Sequence, residues 1–239
     1  MSRYFSKAVT DSHITISGDD AKHIIKVLRK KVGDKITVCD TVGFDYECEI
    51  ELLSDEVLLK VLEKSPNLTE PTCFVTLYQA LPKSDKMEFI IQKAVELGVS
   101  RIVPVSSEFC VAKIDKTSQA KKLERFNKIA VSAAEQSGRG IIPQVTEVVT
   151  FTKAIEQMSL SESAILFYEN ATTHIKNEVS PEKKSVAFMI GSEGGFSVTE
   201  VEFAKKNNVK IISLGSRILR CETAPIVGAT LIMNLTGNM

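Results

Sequence analysis

Hydrophobic and polar residues follow different patterns in the two parts of this chain. Before residue 70, short segments alternate apolar and polar side chains, as in 44–50, which reads FDYECEI. Such alternation is typical of strands that have one buried and one solvated face. Strands are therefore predicted over 13–16, 35–39, 44–52 and 57–62, and short strands at this spacing indicate a small β-barrel.

A short helix is predicted between the first two strands, over 21–28. The GDD sequence at 18–20 offers capping groups, and three apolar residues share one face of the helix: Ile24, Val27 and Leu28. Segment 64–71, KSPNLTEP, contains two prolines and has no periodicity. We interpret it as a linker between domain 1–70 and domain 71–239.

From residue 73 onward, strand-like and helix-like segments alternate. Strands are predicted over 74–80, 102–105, 165–168, 186–190 and 210–214. Helices are predicted over 86–97, 118–136 and 224–235, and a helix-like segment follows the loop at 191–195. This alternation predicts an α/β domain with a mostly parallel sheet flanked by helices. The last helix is apolar on nearly all sides, so it is expected inside the fold or at a subunit interface.

Two of the predicted strands end in loops that contain glycine. The first loop, 191–195, reads GSEGG, and the second, 215–217, reads GSR. Because ligands bind beyond the carboxyl ends of strands in open α/β sheets, these loops are a candidate ligand site. The first loop lacks the endings and spacing of phosphate-binding and dinucleotide-binding motifs. Glycines are equally expected in any tight turn between a strand and a helix, so the loops alone identify no ligand.

Charge and cysteine content narrow the class of protein. Lys and Arg number 30, as do Asp and Glu, so the formal net charge is zero. The five cysteines form no CxxC pair and only three histidines accompany them, which predicts no metal site and reduced thiols in a cytoplasmic protein. No apolar run approaches the ~20 residues that cross a bilayer. A basic cluster around 22–31 is either a solvated helix face or a phosphate-binding patch.

Several segments together resemble the RsmE family of 16S ribosomal RNA methyltransferases, which modify uridine at N3. They are 190–196, 214–224, the helix 86–99 (KMEFIIQKAVELGV), 135–139 (EQSGR), and 23–29 with Gly33-Asp34 after it. The resemblance covers essentially the whole chain, in the expected order. The family usually has proline at the positions of Ser192 and Ser216, and often threonine at that of Cys221.

The resemblance implies a C-terminal SPOUT domain with a deep trefoil knot and an N-terminal PUA-like RNA-binding barrel. It also implies S-adenosylmethionine as the cofactor, 16S rRNA or the small ribosomal subunit as the partner, and a homodimer in which each site is completed by the other subunit. The residues expected to bind the cofactor are Phe167, Tyr168, Ile190, Gly191, Ser192, Gly194, Gly195, Leu214, Gly215, Ile218 and Leu219.

The catalytic hypothesis concerns three charged residues: Glu193 lies in the first loop, and Arg220 and Glu222 follow just after the second. Arg220 is expected to orient the uracil or a phosphate, while Glu193 or Glu222 holds Arg220 or accepts the N3 proton. The alternative is that Arg220 and a carboxylate form a structural ion pair that pins the knot.

Phosphate contacts are predicted for residues of the N-terminal segment: Arg3, Lys22, Lys26, Arg29 and Lys30. Arg139 is either an RNA contact or a cap on the preceding helix. Three other functions stay open, namely 2′-O-ribose methylation by another SPOUT enzyme, RNA binding without catalysis, and a nucleotide-binding α/β enzyme.

Overall fold

A computed structural model of the protein describes residues 3–6, 9–10, 12–111 and 116–239, with 116–118 described for their backbone only. The chain forms two units. The first comprises Met1–Glu70 with Ala134–Ile142, and the second comprises Pro71–Ala133 with Pro143–Met239. Each unit has a sheet and a hydrophobic core of its own.

The N-terminal unit contains a five-stranded sheet. Its strands are β1 (Arg3–Phe5), β2 (His13–Ile16), β3 (Lys35–Cys39), β4 (Phe44–Leu53) and β5 (Val57–Pro66), in the order β1-β3-β4-β5-β2. The pair β1–β3 is parallel and the other pairs are antiparallel. The alternation in β4 places Tyr46, Cys48 and Ile50 in the core, as the pattern predicts. Sequence analysis missed β1, which is only three residues long.

The segment predicted as a helix over 21–28 forms an α-helix only up to Lys22, and a π-helical turn follows it. α1 (Gly18–Lys22) continues into a π-helical turn, His23–Val27. Ile24 is buried, but Val27 is 66% and Leu28 37% exposed. The prediction that these three residues form one apolar face of the helix is therefore wrong. In a π turn the backbone bond spans five residues, as in Leu28 N–H to His23 O at 2.9 Å, and the 3.6-residue period no longer applies.

The C-terminal unit contains a sheet of seven parallel strands. These are β6 (Phe74–Ala80), β7 (Arg101–Ser106), β8 (Gln144–Val145), β9 (Val149–Thr150), β10 (Ser163–Phe167), β11 (Ser185–Ile190) and β12 (Lys210–Ile212). The order is β12-β10-β11-β6-β7-β8, with β9 also paired to β7. The α-helices that the described residues form after α1 are α2 (Lys86–Glu96), α3 (Lys116–Ser137), α4 (Phe151–Met158), α5 (Val198–Lys206) and α6 (Ala224–Leu235). The predicted α/β class with a parallel sheet is confirmed.

Helices of the C-terminal unit pack on its sheet through apolar stripes. α4 was not predicted, although its buried residues follow helical spacing: Phe151, Ala154, Ile155 and Met158. The hydroxyl of Thr150 caps it by accepting the N–H of Lys153 at 3.3 Å. α6 buries one face, while apolar residues of its other face are only half-buried: Ile226, Val227, Leu231 and Leu235. α6 is therefore not enclosed on all sides within this chain.

Membrane-spanning helices and metal-binding clusters are both absent from the described residues. No helix there combines the length and apolar character that a membrane crossing requires. No cluster of three or more His, Cys, Asp or Glu residues there has the arrangement of a metal site.

Candidate functional site

Three neighbouring parallel strands end where the candidate site lies. β10 is flanked by β11 and β12. Residues that follow the carboxyl ends of these strands enclose a cavity of about 540 Å³. Small-molecule sites measure roughly 300–1,000 Å³, so the cavity is large enough for a cofactor. It occupies the crevice in which the two glycine-containing loops predict a ligand.

All residues predicted to bind the cofactor line this cavity. They are Phe167, Tyr168, Ile190, Gly191, Ser192, Gly194, Gly195, Leu214, Gly215, Ile218 and Leu219. Phe167 and Ile190 are buried, whereas Ile218 is 87% exposed. The ring of Phe167 packs edge-on against that of Phe188, with 6.1 Å between centroids, which fixes its orientation. Contact of these residues with a cofactor stays a prediction.

The turn at 191–195 requires glycine at both of its ends. A Cβ added to Gly191 would lie 2.9 Å from the Cα of Gly195, closer than side-chain atoms approach a backbone. Gly195 has a φ of +66°, in the left-handed region that glycine adopts at little cost. Its N–H donates to the carbonyl of Ser192 at 3.0 Å and closes the turn. The hydroxyl of Ser192 donates to the carbonyl of Phe109 at 3.4 Å, a contact that the family's usual proline cannot make.

Lys86, which sequence reasoning missed, also lines the cavity from the first turn of α2. Its Nζ lies 2.9 Å from Oε1 of Glu193 and 3.2 Å from Oε2 of Glu222. Glu193 also accepts the backbone N–H of Lys83, at 3.2 and 3.3 Å to its two oxygens. Glu222 accepts the thiol of Cys221 at 3.2 Å. One cation therefore joins a carboxylate of the first loop to a carboxylate that follows the second.

These contacts keep both carboxylates ionised near neutral pH. Burial acts to raise the pKa of Glu193, but hydrogen bonds from Lys86 and from backbone amides outweigh it and lower the pKa to about 2. Burial likewise opposes the shift at Glu222, whose pKa is lowered by hydrogen bonds from Cys221, its own amide and Lys86. The pKa of Lys86 is raised, first by its hydrogen bond to Glu193. Burial, followed by the hydrogen bond to Glu222, raises the pKa of the Cys221 thiol to about 12.

Arg220 lines the cavity with an exposed side chain. Among the described residues, neither Glu193 nor Glu222 contacts its guanidinium; both contact Lys86 instead. The expectation that a carboxylate holds Arg220, or pairs with it to pin the loops, is therefore wrong. The carbonyl of Arg220 accepts the N–H groups of Thr223 and Ala224 at 2.9 Å, which orders the chain before α6. Its guanidinium stays exposed beside the cavity.

Other lining residues were also absent from the prediction: Lys86, Glu169, Phe196, Arg217, Cys221 and Ala224. Most of them directly adjoin a predicted residue in sequence, so extending each predicted loop by one or two positions finds them. Lys86 is different, because its position depends on how α2 packs. No local sequence pattern reports that packing.

The basic residues predicted to hold RNA phosphates fall into two groups, both in the N-terminal unit. Lys22, Lys26 and Arg29 are exposed, and Lys30 is half-buried. The Nζ of Lys22 lies 3.2 Å from Asp19 at the surface. The exposed apolar residues Val27, Leu28 and Val32 fall in the same stretch of chain. This basic segment is accessible, and its contact with RNA stays a prediction.

Arg3 and Arg139 form the second group, and the structure places both in internal ion pairs. Arg3 binds both oxygens of Asp45, at 2.8 and 2.6 Å, and donates to the carbonyl of Arg139 at 3.0 Å. The side chain of Arg139 is 3% exposed, and two of its nitrogens each lie 2.8 Å from an oxygen of Glu70. Because Arg139 is buried, Arg3 is half-buried and both guanidinium groups are already paired with carboxylates, we reassign both arginines as structural residues.

Comparisons with known proteins identify the family. A model described as an RNA methyltransferase domain matches residues 69–233, and an RNA methyltransferase PUA domain matches 16–62. The ribosomal RNA small subunit methyltransferase E of Bacillus subtilis is 35% identical, over 97% of this chain and 96% of its own. This chain belongs to the methyltransferase E family. The resemblance to RsmE is thereby confirmed.

Two further methyltransferase E proteins extend the comparison. That of Buchnera aphidicola (Schizaphis graminum) is 34% identical, over 95% of this chain and 92% of its own. A crystal structure of the enzyme from Neisseria gonorrhoeae, bound to S-adenosylmethionine, has a TM-score of 0.90 and 28% identity, covering 98% of both chains. This agreement, with the PUA match, confirms the predicted fold class, while the trefoil knot stays a prediction.

Proposed function

We propose that this methyltransferase E protein transfers the methyl group of S-adenosylmethionine to N3 of a uridine in small-subunit (16S) ribosomal RNA. One observation carries the proposal. The cavity at the ends of β10, β11 and β12 is lined by every predicted cofactor residue, in a chain that matches the family over nearly its whole length. Family membership supports the cofactor and the class of RNA. The choice of N3 rests on the resemblance stated above.

The residues around the cavity suit S-adenosylmethionine. Ile190, Leu214 and Leu219 offer apolar surface for an adenine ring, and the glycine turn offers backbone donors and acceptors. Glu169 and Glu193 place two carboxylates in the lining of the cavity, and negative charge there attracts a sulfonium or an ammonium group. When bound, the cofactor supplies an electrophilic methyl group on a positively charged sulfur.

Methylation at N3 requires the uracil to lose its N3 proton. The resulting negative charge is delocalised onto the neighbouring carbonyl oxygens, where hydrogen-bond donors stabilise it. We assign this task to Arg220, whose guanidinium is exposed beside the cavity. Glu193 is poorly suited to accept the proton, because a carboxylate with a pKa of about 2 is a weak base.

Access to the target base sets a second requirement. N3 lies on the Watson–Crick edge, so the uridine must be unpaired or flipped out of a helix. The RNA strand then needs cations that hold its phosphates. We propose that Lys22, Lys26, Arg29 and Lys30 of the N-terminal unit provide them.

We also propose that the protein is a homodimer and acts in the cytoplasm, where the small ribosomal subunit is assembled. The half-buried apolar residues on the outer face of α6, such as Ile226 and Leu231, support a subunit interface. Size-exclusion chromatography with light scattering tests the dimer. A monomer at micromolar concentration would contradict it.

The reaction is tested with labelled S-adenosylmethionine and small-subunit RNA transcribed in vitro, which carries no modifications. Mass spectrometry of nuclease fragments then locates the product. The proposal expects one labelled uridine, methylated at N3, and loss of label with Arg220→Ala but not with Lys153→Met, an exposed lysine of α4. A methyl group on a ribose, or on another base, would refute it.

A further inference from the structure

Lys86 is the only described cation that bridges the two carboxylates of the cavity loops. It stands at the first position of α2, and Met87, Ile90 and Ile91 of that helix are buried in the core. The backbone that carries Lys86 is therefore fixed by packing. Glu193 and Glu222, by contrast, lie in turns outside the sheet and the helices, and local backbone hydrogen bonds close these turns: Gly195 N–H to Ser192 O at 3.0 Å and Thr223 N–H to Arg220 O at 2.9 Å. The helix thus anchors a cation that links two separate turns of the chain.

We propose that Lys86 is a positioning residue for methyl transfer, which holds Glu193 and Glu222 and, through them, the two loops in the arrangement that binds the cofactor. This inference rests on the proposed function in taking the cavity as the cofactor site. Lys86 does not have to touch the cofactor or the uridine. Its effect passes through the two carboxylates.

Electrostatics explain why one lysine matters here although most surface ion pairs contribute little. Both carboxylate oxygens lie within 3.2 Å of the same nitrogen, so they are no more than about 6 Å apart. Without the cation, two negative charges at that distance repel each other and drive the loops apart. Lys86 thus replaces a repulsion between the loops by two attractions.

The experiment measures the dissociation constant of S-adenosylmethionine by isothermal titration calorimetry, which needs no RNA. Lys86→Met removes the charge and keeps most of the stem, and we expect about tenfold weaker binding. Lys86→Arg retains the charge and is expected to restore binding to within about threefold of the wild type. Lys153→Met, on α4, is the matched control and should bind as the wild type does. Wild-type affinity in Lys86→Met would overturn the proposal.

A double variant separates positioning from simple structural support. In Lys86→Met with Glu222→Gln the repulsion between the carboxylates is gone, so this variant should bind the cofactor more tightly than Lys86→Met alone. A structural role predicts no such recovery, and the lack of recovery would refute the mechanism.

The result is independent of the RNA chemistry. A wild-type protein that binds the cofactor but makes no N3-methyluridine refutes the proposed function and leaves the calorimetric test of Lys86 valid. A wild-type protein that does not bind the cofactor overturns both.

Discussion

The ion pair between Arg139 and Glu70 provides a quantitative test of our assignment of Arg139. The guanidinium is 3% exposed and binds both oxygens of Glu70 at 2.8 Å. Oε1 of Glu70 also accepts the backbone N–H groups of Gly140 and Ile141, at 2.8 and 3.1 Å. Arg139→Met keeps much of the apolar stem but removes the charge, and leaves Glu70 without its cation.

The expected loss follows from the burial of the pair. Removing one partner of a buried ion pair costs about 3–5 kcal/mol, because the other charge is left uncompensated. Glu70 keeps two backbone donors and its side chain is 20% exposed, so we expect the lower end of that range, about 3 kcal/mol. At about 4–8 °C per kcal/mol for a folding unit of this size, the melting temperature of the N-terminal unit falls by about 12–24 °C.

Differential scanning calorimetry is the suitable assay, because it can resolve separate transitions in a chain of two units. Arg125→Met is the matched control: Arg125 pairs with Glu88 at 2.8 Å but is 64% exposed, so its loss should cost less than about 1 kcal/mol. Combining Arg139→Met with Glu70→Gln should recover part of the stability, since no uncompensated charge then remains and the amide oxygen can still accept the N–H groups of Gly140 and Ile141. The reasoning is refuted if Arg139→Met leaves both transitions unchanged while RNA affinity and its salt dependence fall.

Three further predictions concern the turn at 191–195, the half-buried carboxylate of Glu135 and the basic segment. Gly191→Ala should weaken binding of S-adenosylmethionine by about tenfold or more in calorimetry, because its Cβ would lie 2.9 Å from Gly195 Cα; an unchanged affinity would show that the turn opens freely. Burial, and then Asp20, raise the pKa of Glu135 from 4.5 to about 7, so the native state binds this proton more tightly and its stability falls as the pH rises across that range. Glu135→Gln should therefore raise the melting temperature by a few degrees at about pH 8 but not at about pH 4, and equal shifts would contradict the assignment. In the basic segment, four cations are exposed or half-buried: Lys22, Lys26, Arg29 and Lys30. Replacing them by glutamine should weaken rRNA binding and lower its salt dependence, and an unchanged salt dependence would exclude a phosphate contact.

The location of the cavity could be predicted from the sequence because it depends on strand order and loop composition. Buried strands such as β11 are readable as short apolar runs, and parallel strands bring their carboxyl ends to one edge. The sequence GSEGG at 191–195 then marks a tight turn. α4 could also have been predicted, because its apolar residues follow helical spacing and Thr150 is a suitable N-cap residue.

Pairing of charges could not be predicted, because it depends on contacts between distant parts of the chain. Lys86 and Glu193 are 107 residues apart, and Arg139 and Glu70 are 69 apart. Local sequence shows only that these residues are charged, which is equally compatible with a solvated surface, an RNA contact or a buried pair. The π turn at His23–Val27 was not predicted either, although it is local. The helical period assumed for Val27 does not hold there.

The inclusion of 134–142 in the N-terminal unit has a consequence for synthesis of the protein. Glu70 meets Arg139, and the thiol of Cys39 reaches the carbonyl of Gly140 at 3.2 Å, only after more than half of the chain has been translated. At ~5–20 residues per second, the first 70 residues wait roughly 4–14 s on the ribosome for these contacts. The unit whose synthesis begins first therefore gains these two contacts only after residues 139 and 140 have been translated.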